Sequence, residues 1–166
     1  MLIICSVFSF TLSSGITYTL QTVAISFIYF TLKLKKSIFV LLVYILIGLI
    51  GIPVFSNGGG IHYVFSPTFG YIIGFIPFVI VLHLLDKFNI IFKMLSLIPL
   101  YILGAIYMYI IFNYYLEIDS NILYIIQISI LPYIIKDVLS ILLSYYMYEK
   151  RMKHLLDNKE MTDSNQ

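Results

Sequence analysis

Four stretches of this chain, residues 16–32, 37–55, 68–85 and 94–116, contain no Asp, Glu, Lys or Arg. Each approaches the run of about 20 apolar helical residues that crosses ~30 Å of hydrocarbon. Lipid is therefore the solvent to reason with, and the composition agrees. Of 166 residues, 61% are hydrophobic and 11% charged, where ordinary globular chains carry about 25% charged residues. A water-facing domain this small leaves too much of its area exposed to be built with so few charges. The length allows one bundle and leaves no room for a soluble catalytic domain beside it, so any energy source is expected to lie outside the chain.

Two terminal stretches are less regular. Residues 1–14 are short for a span and lack the positively charged start of a cleaved signal peptide. Residues 121–148 are long for one, reaching roughly 40 Å as a continuous helix. They contain Pro132, and proline removes a helical hydrogen bond and disfavours helix in the residue before it. This predicts a short re-entrant or interfacial piece over 121–131 and a last span over 132–148. The expected fold is an all-α integral membrane protein with about six transmembrane helices in a single bundle. A membrane-embedded domain over 1–150 is followed by a polar cytoplasmic tail over 151–166, of which 157–166 has the composition of disorder. With six crossings, all of the ten Lys and Arg residues except Lys136 fall on one side. The positive-inside rule makes that side cytoplasmic, with both termini inside and Glu117 and Asp119 outside. A net charge of +2 is too small to point to nucleic acid.

The residues able to carry chemistry are few. Residues 52–70 interrupt the apolar pattern with Pro53, Ser56, Asn57, the consecutive Gly58, Gly59 and Gly60, His62, Ser66, Pro67 and Thr68. Triple glycine lets backbone amides approach a ligand closely, and a plain flexible connection explains the same composition equally well. Asp137 lies within the last span, where an ionisable residue is costly and usually faces a cavity or a partner. Tyr133, Ser140 and Ser144 share its side of the helix, so the face reads as inward; a structural role, capping the helix after Pro132 or pairing with a lysine, is the alternative. Lys136 sits about 100° round the helix from Asp137, so pairing between them is not to be assumed from sequence, and a snorkelling path outward is open to it. Gln21 and Thr22 either line a pocket or sit at the headgroups. His62 and His83 have no partner at metal-ligand spacing, and Cys5 alone forms neither an internal disulfide nor a metal cluster. No Ser/His/Asp grouping or carboxylate pair suggests an enzyme, and no cofactor is expected.

The segment 44–75, YILIGLIGIPVFSNGGGIHYVFSPTFGYIIGF, resembles the signature of the BioY family, biotin-binding S components of energy-coupling factor (ECF) transporters. There a Gly-hydrophobic-Pro-Val-Phe element precedes a glycine-rich loop and a Pro-Thr-x-Gly-Tyr element. Three further elements keep the family's order: Thr19-Leu20-Gln21-Thr22, Leu100 through Gly104, and Leu131-Pro132-Tyr133 through Asp137. The departures are a shortened first helix, Lys136 before the Asp with Ser140 three residues after it, and Phe69 where glycine is commoner. The resemblance implies a multi-pass protein of the bacterial plasma membrane that captures biotin and works with a membrane coupling subunit and separate ATPase subunits. It implies that Asp137 accepts ureido N–H bonds and that Gln21, Thr22 and Asn57 supply neutral partners. It also implies that Gly58 to Gly60 close over the ligand and that Thr68 and Tyr71 belong to the site. Lys136 or His62 is then the candidate for the ligand's carboxylate. An S component for another small vitamin and a non-transport membrane scaffold are the competing readings.

Overall fold

The structure, a computed structural model, describes residues 2–7, 9–11, 17–56 and 58–163. It opens with a short helix α1 (Leu2–Val7) and two antiparallel strands, β1 (Ser9–Thr11) and β2 (Thr17–Thr19), with Ser9 opposite Thr19. This corrects the reading of residues 1–14 as the first of six crossings, because a helix of 6 residues rises only about 9 Å. Thr11, Thr17 and Thr19, with Phe10 and Tyr18, are β-branched or aromatic and favour extended backbone. Average hydropathy hides that preference, and helix begins at Gln21 rather than near residue 16.

The next helix, α2 (Gln21–Ile50), consists of two limbs broken at Lys33, whose backbone sits at φ 62, ψ 180. A straight helix would hold Gln21 and Tyr44 about 35 Å apart. Instead the Gln21 amide donates to the Tyr44 hydroxyl at 2.8 Å, so the limbs fold back on each other. Lys33, Lys35 and Lys36 divide the two apolar runs there, and burying ammonium groups in hydrocarbon is costly enough to force the turn. At this end Lys33 pairs with Asp86 at 3.0 Å. Lys93, itself buried, donates to Asp86 Oδ1 and to the carbonyls of Leu85 and Asp86. Burial pushes the Asp86 carboxyl up, but the hydrogen bond and charge of Lys33, followed by those of Lys93, outweigh it and hold the group below the usual carboxylate range.

Gly51 ends α2 at φ 118, a left-handed conformation that favours glycine. The chain then turns back on α2: the Phe55 ring packs on Gly48, Phe55 and Gly58 exchange backbone hydrogen bonds, and Gly60 donates to the Gly48 carbonyl at 2.7 Å. A 3₁₀ turn (Ile61–Phe65) leads into α3 (Phe69–Leu84). After α4 (Ile90–Lys93) the helix continues through a 3₁₀ turn into α5 (Leu97–Ile110) and a π turn (Ile111–Tyr115). Among the described residues this run, Ile90–Tyr115, is the helical stretch long and apolar enough to cross a bilayer by itself. A second exists if α6 (Ile122–Ser129) and the start of α7 (Leu131–Asp163), bent by 42°, make one span. The bend falls immediately before Pro132, as the sequence predicts. Helix α7 then continues to Asp163, into the stretch 157–166 expected to be disordered. Residues 149–163 are rich in Glu, Lys, Arg, Met and Leu, good helix formers whose polarity alone had suggested disorder.

Helix α3 packs along α5, and α2 packs along both α7 and α3. Gly70 and Gly74 on α3 and Gly104 on α5 let those backbones approach, with Tyr107, Leu100 and Tyr71 lying where a Cβ would stand. Tyr29, Phe78, Val79, Leu82 and Ile141 fill the interior. The exterior also carries many large apolar side chains: Ile50 is 81% exposed, Ile91 74% and Ile135 72%. Such a surface suits lipid rather than water.

Candidate ligand-binding site

A cavity of about 560 Å³ opens among the start of α2, the loop before α3, α3, α5, α6 and the start of α7. That volume is within the usual range for small-molecule sites. Asp137 is its anchor, 4% exposed and placed by the first turns of α7 after the Pro132 break. Its Oδ1 accepts from the Thr22 hydroxyl at 2.7 Å and pairs with the Lys136 ammonium at 2.6 Å. Its Oδ2 accepts from the Tyr101 hydroxyl at 2.7 Å. A carboxylate offers about four lone-pair sites. Among the described residues both sites on Oδ1 are taken and one remains on Oδ2.

Of the two paths the sequence leaves open to Lys136, outward snorkelling and pairing, the side chain takes the second. Its four-carbon stem bends back far enough to bridge the angle between adjacent helical positions, and its ammonium also donates to the Thr19 carbonyl at 3.1 Å. The ammonium lies 5.6 Å from the Tyr133 ring centroid as well. Ser140 and Ser144 are buried on Asp137's side, as expected, but they donate to carbonyls of their own helix, Lys136 and Ser140 respectively.

Of the other residues that the sequence singles out, Gln21, Thr22, Thr68, Tyr71 and Lys136 line the same cavity as Asp137. Gln21 accepts from Thr19 and donates to Tyr44, which donates in turn to the Val54 carbonyl. Tyr71 crosses to α6 and donates to the Ser129 carbonyl at 3.1 Å. Gly58, Gly59 and Gly60 do not line the cavity. Gly58 and Gly60 take positive φ, and the trio forms the turn against the end of α2 that carries Ser56 and Tyr63 to the cavity wall. His62 lies over Gly60, exposed and outside the cavity lining. Asn57 lies outside the described residues.

Sequence reasoning missed Tyr101 and Tyr63, and it named Ser56 and Ser66 only as part of the polar interruption before α3. Tyr101 had a signal, since a buried carboxylate needs more donors than Thr22 supplies, but 15 tyrosines diluted it. Among the described lining residues Asp137 is the one acid and Lys136 the one base; Ile72, Phe75, Leu100 and Met108 supply apolar wall. The arrangement suits an amphipathic molecule that presents hydrogen-bond donors to Asp137.

The BioY family model matches residues 1–157. A probable biotin transporter BioY from Lysinibacillus sphaericus is 41% identical over 88 residues, 48% of this chain and 45% of that protein. Biotin transporter BioY2 from Lactococcus lactis subsp. cremoris is 44% identical over 59 residues, 35% of this chain and 32% of that protein. The matched regions thus span less than half the length of either relative. The crystal structure of the S-component for biotin from an ECF-type ABC transporter superimposes with TM-score 0.72 at 20% identity, covering 92% of this chain and 85% of that one. At that identity the likeness is one of fold.

Proposed function

We propose that this chain, which belongs to the BioY family, captures biotin in the membrane as the substrate-binding subunit of an energy-coupling factor importer. The observation that carries this reading is the buried Asp137 carboxylate, with one open lone pair, at one wall of a largely apolar cavity of about 560 Å³. Biotin's ureido N–H groups are donors that suit such an acceptor, and its bicycle and tail suit the wall of Ile72, Phe75, Leu100 and Met108. Thr22 beside Asp137 and Gln21 in the same cavity lining orient the ureido group, Thr68 and Tyr71 complete the wall, and Gly58 to Gly60 form the turn behind it; Asn57 is a further neutral partner in this reading. Lys136 neutralises Asp137 and fixes its orientation. A membrane coupling subunit and ATPase subunits supply the hydrolysis that drives release inward. Calorimetry of the purified protein with biotin, riboflavin and thiamine tests the reading. Biotin is expected to bind and the other two are not, and tighter binding of either would reassign the chain to an S component for a different vitamin.

The cavity end is placed outside and the Lys33 end in the cytoplasm. Support comes from the joining of Lys33 and Lys93 through Asp86, and from Phe30 packing on Tyr145 and Tyr148, which brings Lys150, Arg151 and Lys153 to the same end. In a Cys5→Ser background, Ile61→Cys is expected to react with an impermeant thiol reagent added to whole cells and Asn89→Cys to stay unlabelled. The reverse pattern inverts the topology.

A further inference from the structure

Outside the ligand cavity, a second hollow of about 780 Å³ lies open on the flank of the bundle, between the start of α2 and α7. Leu20 and Val23 form one bank of this groove, and Ile135, Leu139, Leu143 and Tyr146 the other. Lys136 belongs to the linings of both groove and cavity, whereas Asp137 lines the cavity alone. Among the described lining residues Lys136 is the groove's one charged side chain. Its ammonium has three N–H donors. One goes to Asp137 Oδ1 at 2.6 Å and one to the Thr19 carbonyl at 3.1 Å. The third has no acceptor among the described residues, on a side chain that is 21% exposed.

We propose that this groove binds one phospholipid with a net negative headgroup, its phosphate on the Lys136 ammonium and an acyl chain along α7. Length and charge both favour that occupant. From Lys136 to Tyr146 the helix rises roughly 15 Å, half of the ~30 Å hydrocarbon core and so the depth of one leaflet. Leu139, Leu143 and Tyr146 follow Lys136 at i+3, i+7 and i+10, on one side of the helix. A chain that leaves a headgroup at Lys136 therefore meets apolar side chains as far as the middle of the bilayer. Charge selects the headgroup. The lining holds a base and, among the described residues, no acid, so a phosphate finds a charge-assisted donor while the ammonium of a zwitterionic headgroup finds no carboxylate. Ordinary lipid contact with an apolar flank makes no such distinction between headgroups.

The detergent-purified wild type, Lys136→Gln and Leu143→Trp are titrated with phosphatidylglycerol and with phosphatidylcholine of the same chain length. Bound lipid is counted by native mass spectrometry, with thermal unfolding as the check on fold. Leu143→Trp crowds the groove and leaves Lys136 and the cavity lining untouched; Leu46→Trp, exposed on the second limb of α2 and outside the groove, is the control for added bulk. The wild type is expected to bind its first phosphatidylglycerol about fivefold more tightly than its first phosphatidylcholine. Lys136→Gln and Leu143→Trp should each lose about fivefold for that phosphatidylglycerol, and Leu46→Trp should lose nothing. The exposed Lys35, Lys36 and Lys87 at the other end of the bundle also attract anionic lipid, and their share survives all three substitutions. Wild-type affinity for phosphatidylglycerol in either folded groove variant therefore assigns the lipid to those lysines and overturns the groove site, as does a wild type that does not distinguish the two lipids. If Lys136→Gln fails to fold, Leu143→Trp against Leu46→Trp carries the comparison. No cavity ligand is present in these titrations, so their outcome is independent of the biotin reading.

Discussion

Replacing Asp137 by Asn should weaken biotin binding by about tenfold to a hundredfold, while Lys136→Gln should change it by less than about threefold. The asymmetry follows from counting lone pairs. Thr22 and Lys136 occupy both sites on Oδ1, Tyr101 occupies one on Oδ2, and the ligand is left the second site on Oδ2. An asparagine will turn its oxygen toward the ammonium and Thr22, because the reverse flip faces NH₂ with a positive charge. Its NH₂ then stands where Oδ2 stood and has no lone pair to offer. The ureido N–H loses a charge-assisted bond worth about 1.5 to 3 kcal/mol, and the Tyr101 hydroxyl must find another acceptor. Lys136→Gln keeps every lone pair on Asp137 and supplies an amide donor in place of the ammonium. Its cost falls instead on stability, because a buried carboxylate loses its counter-charge. Calorimetry for affinity and thermal unfolding for stability separate the two. A loss at Lys136 that matches or exceeds the loss at Asp137 would show that the lysine, and not the carboxylate, holds the ligand.

How much of this arrangement is legible in the chain's sequence depends on the range of the interaction concerned. The helices lie mostly where uncharged runs predict them, and the fold-back at Lys33 lies where lysines interrupt those runs, because both are set by the local cost of charge in hydrocarbon. The break before Pro132 is equally local. The strand pair at 9–11 and 17–19 is concealed because threonine and aromatic residues raise or leave neutral a hydropathy average while favouring extended backbone. Asp137's inward placement follows from the cost of exposing it to lipid.

Its partners are harder to read. The angle between Lys136 and Asp137 on a helical wheel treats side chains as stubs, and a lysine stem is long enough to defeat it. Tyr101 reaches Asp137 across 36 residues of sequence, and nothing local marks it among its fellow tyrosines. The glycines announce that backbone comes close to something. They do not announce that the something is the Gly48 carbonyl rather than the cavity.

Among the three glycines at the α3–α5 contact, alanine should be tolerated worst at Gly70, less badly at Gly104 and best at Gly74. The order depends on what each new methyl meets. At Gly70 it overlaps the Cβ of Tyr107 and lies 3.1 Å from the Leu103 carbonyl oxygen, atoms fixed to the backbone of α5 that cannot rotate aside. At Gly104 it meets the Tyr71 ring, which can swing away at the cost of its hydrogen bond to Ser129. At Gly74 the methyl meets nothing closer than a Leu100 methyl at 3.1 Å, which a small rotation moves, and the Leu100 carbonyl oxygen at 3.2 Å, which requires α5 to give by a few tenths of an ångström. Alanine gains up to about 1 kcal/mol of helix propensity at each position, against overpacking that typically costs about 1 to 3 kcal/mol and sometimes more. Gly74→Ala should therefore cost least, about 1 kcal/mol or less, and Gly70→Ala should lose about 2 kcal/mol or fail to fold. Separating α3 from α5 also pulls Tyr107 from the Val64 carbonyl and Tyr101 from Asp137, so whatever Gly70→Ala protein survives should bind biotin weakly. Gly104→Ala should lose affinity through the displaced Tyr71 with a smaller loss of stability. Thermal unfolding of the three variants in one detergent decides the order. If Gly70→Ala unfolds no earlier than Gly74→Ala, the close approach of the two helices is not what holds this wall of the cavity in place.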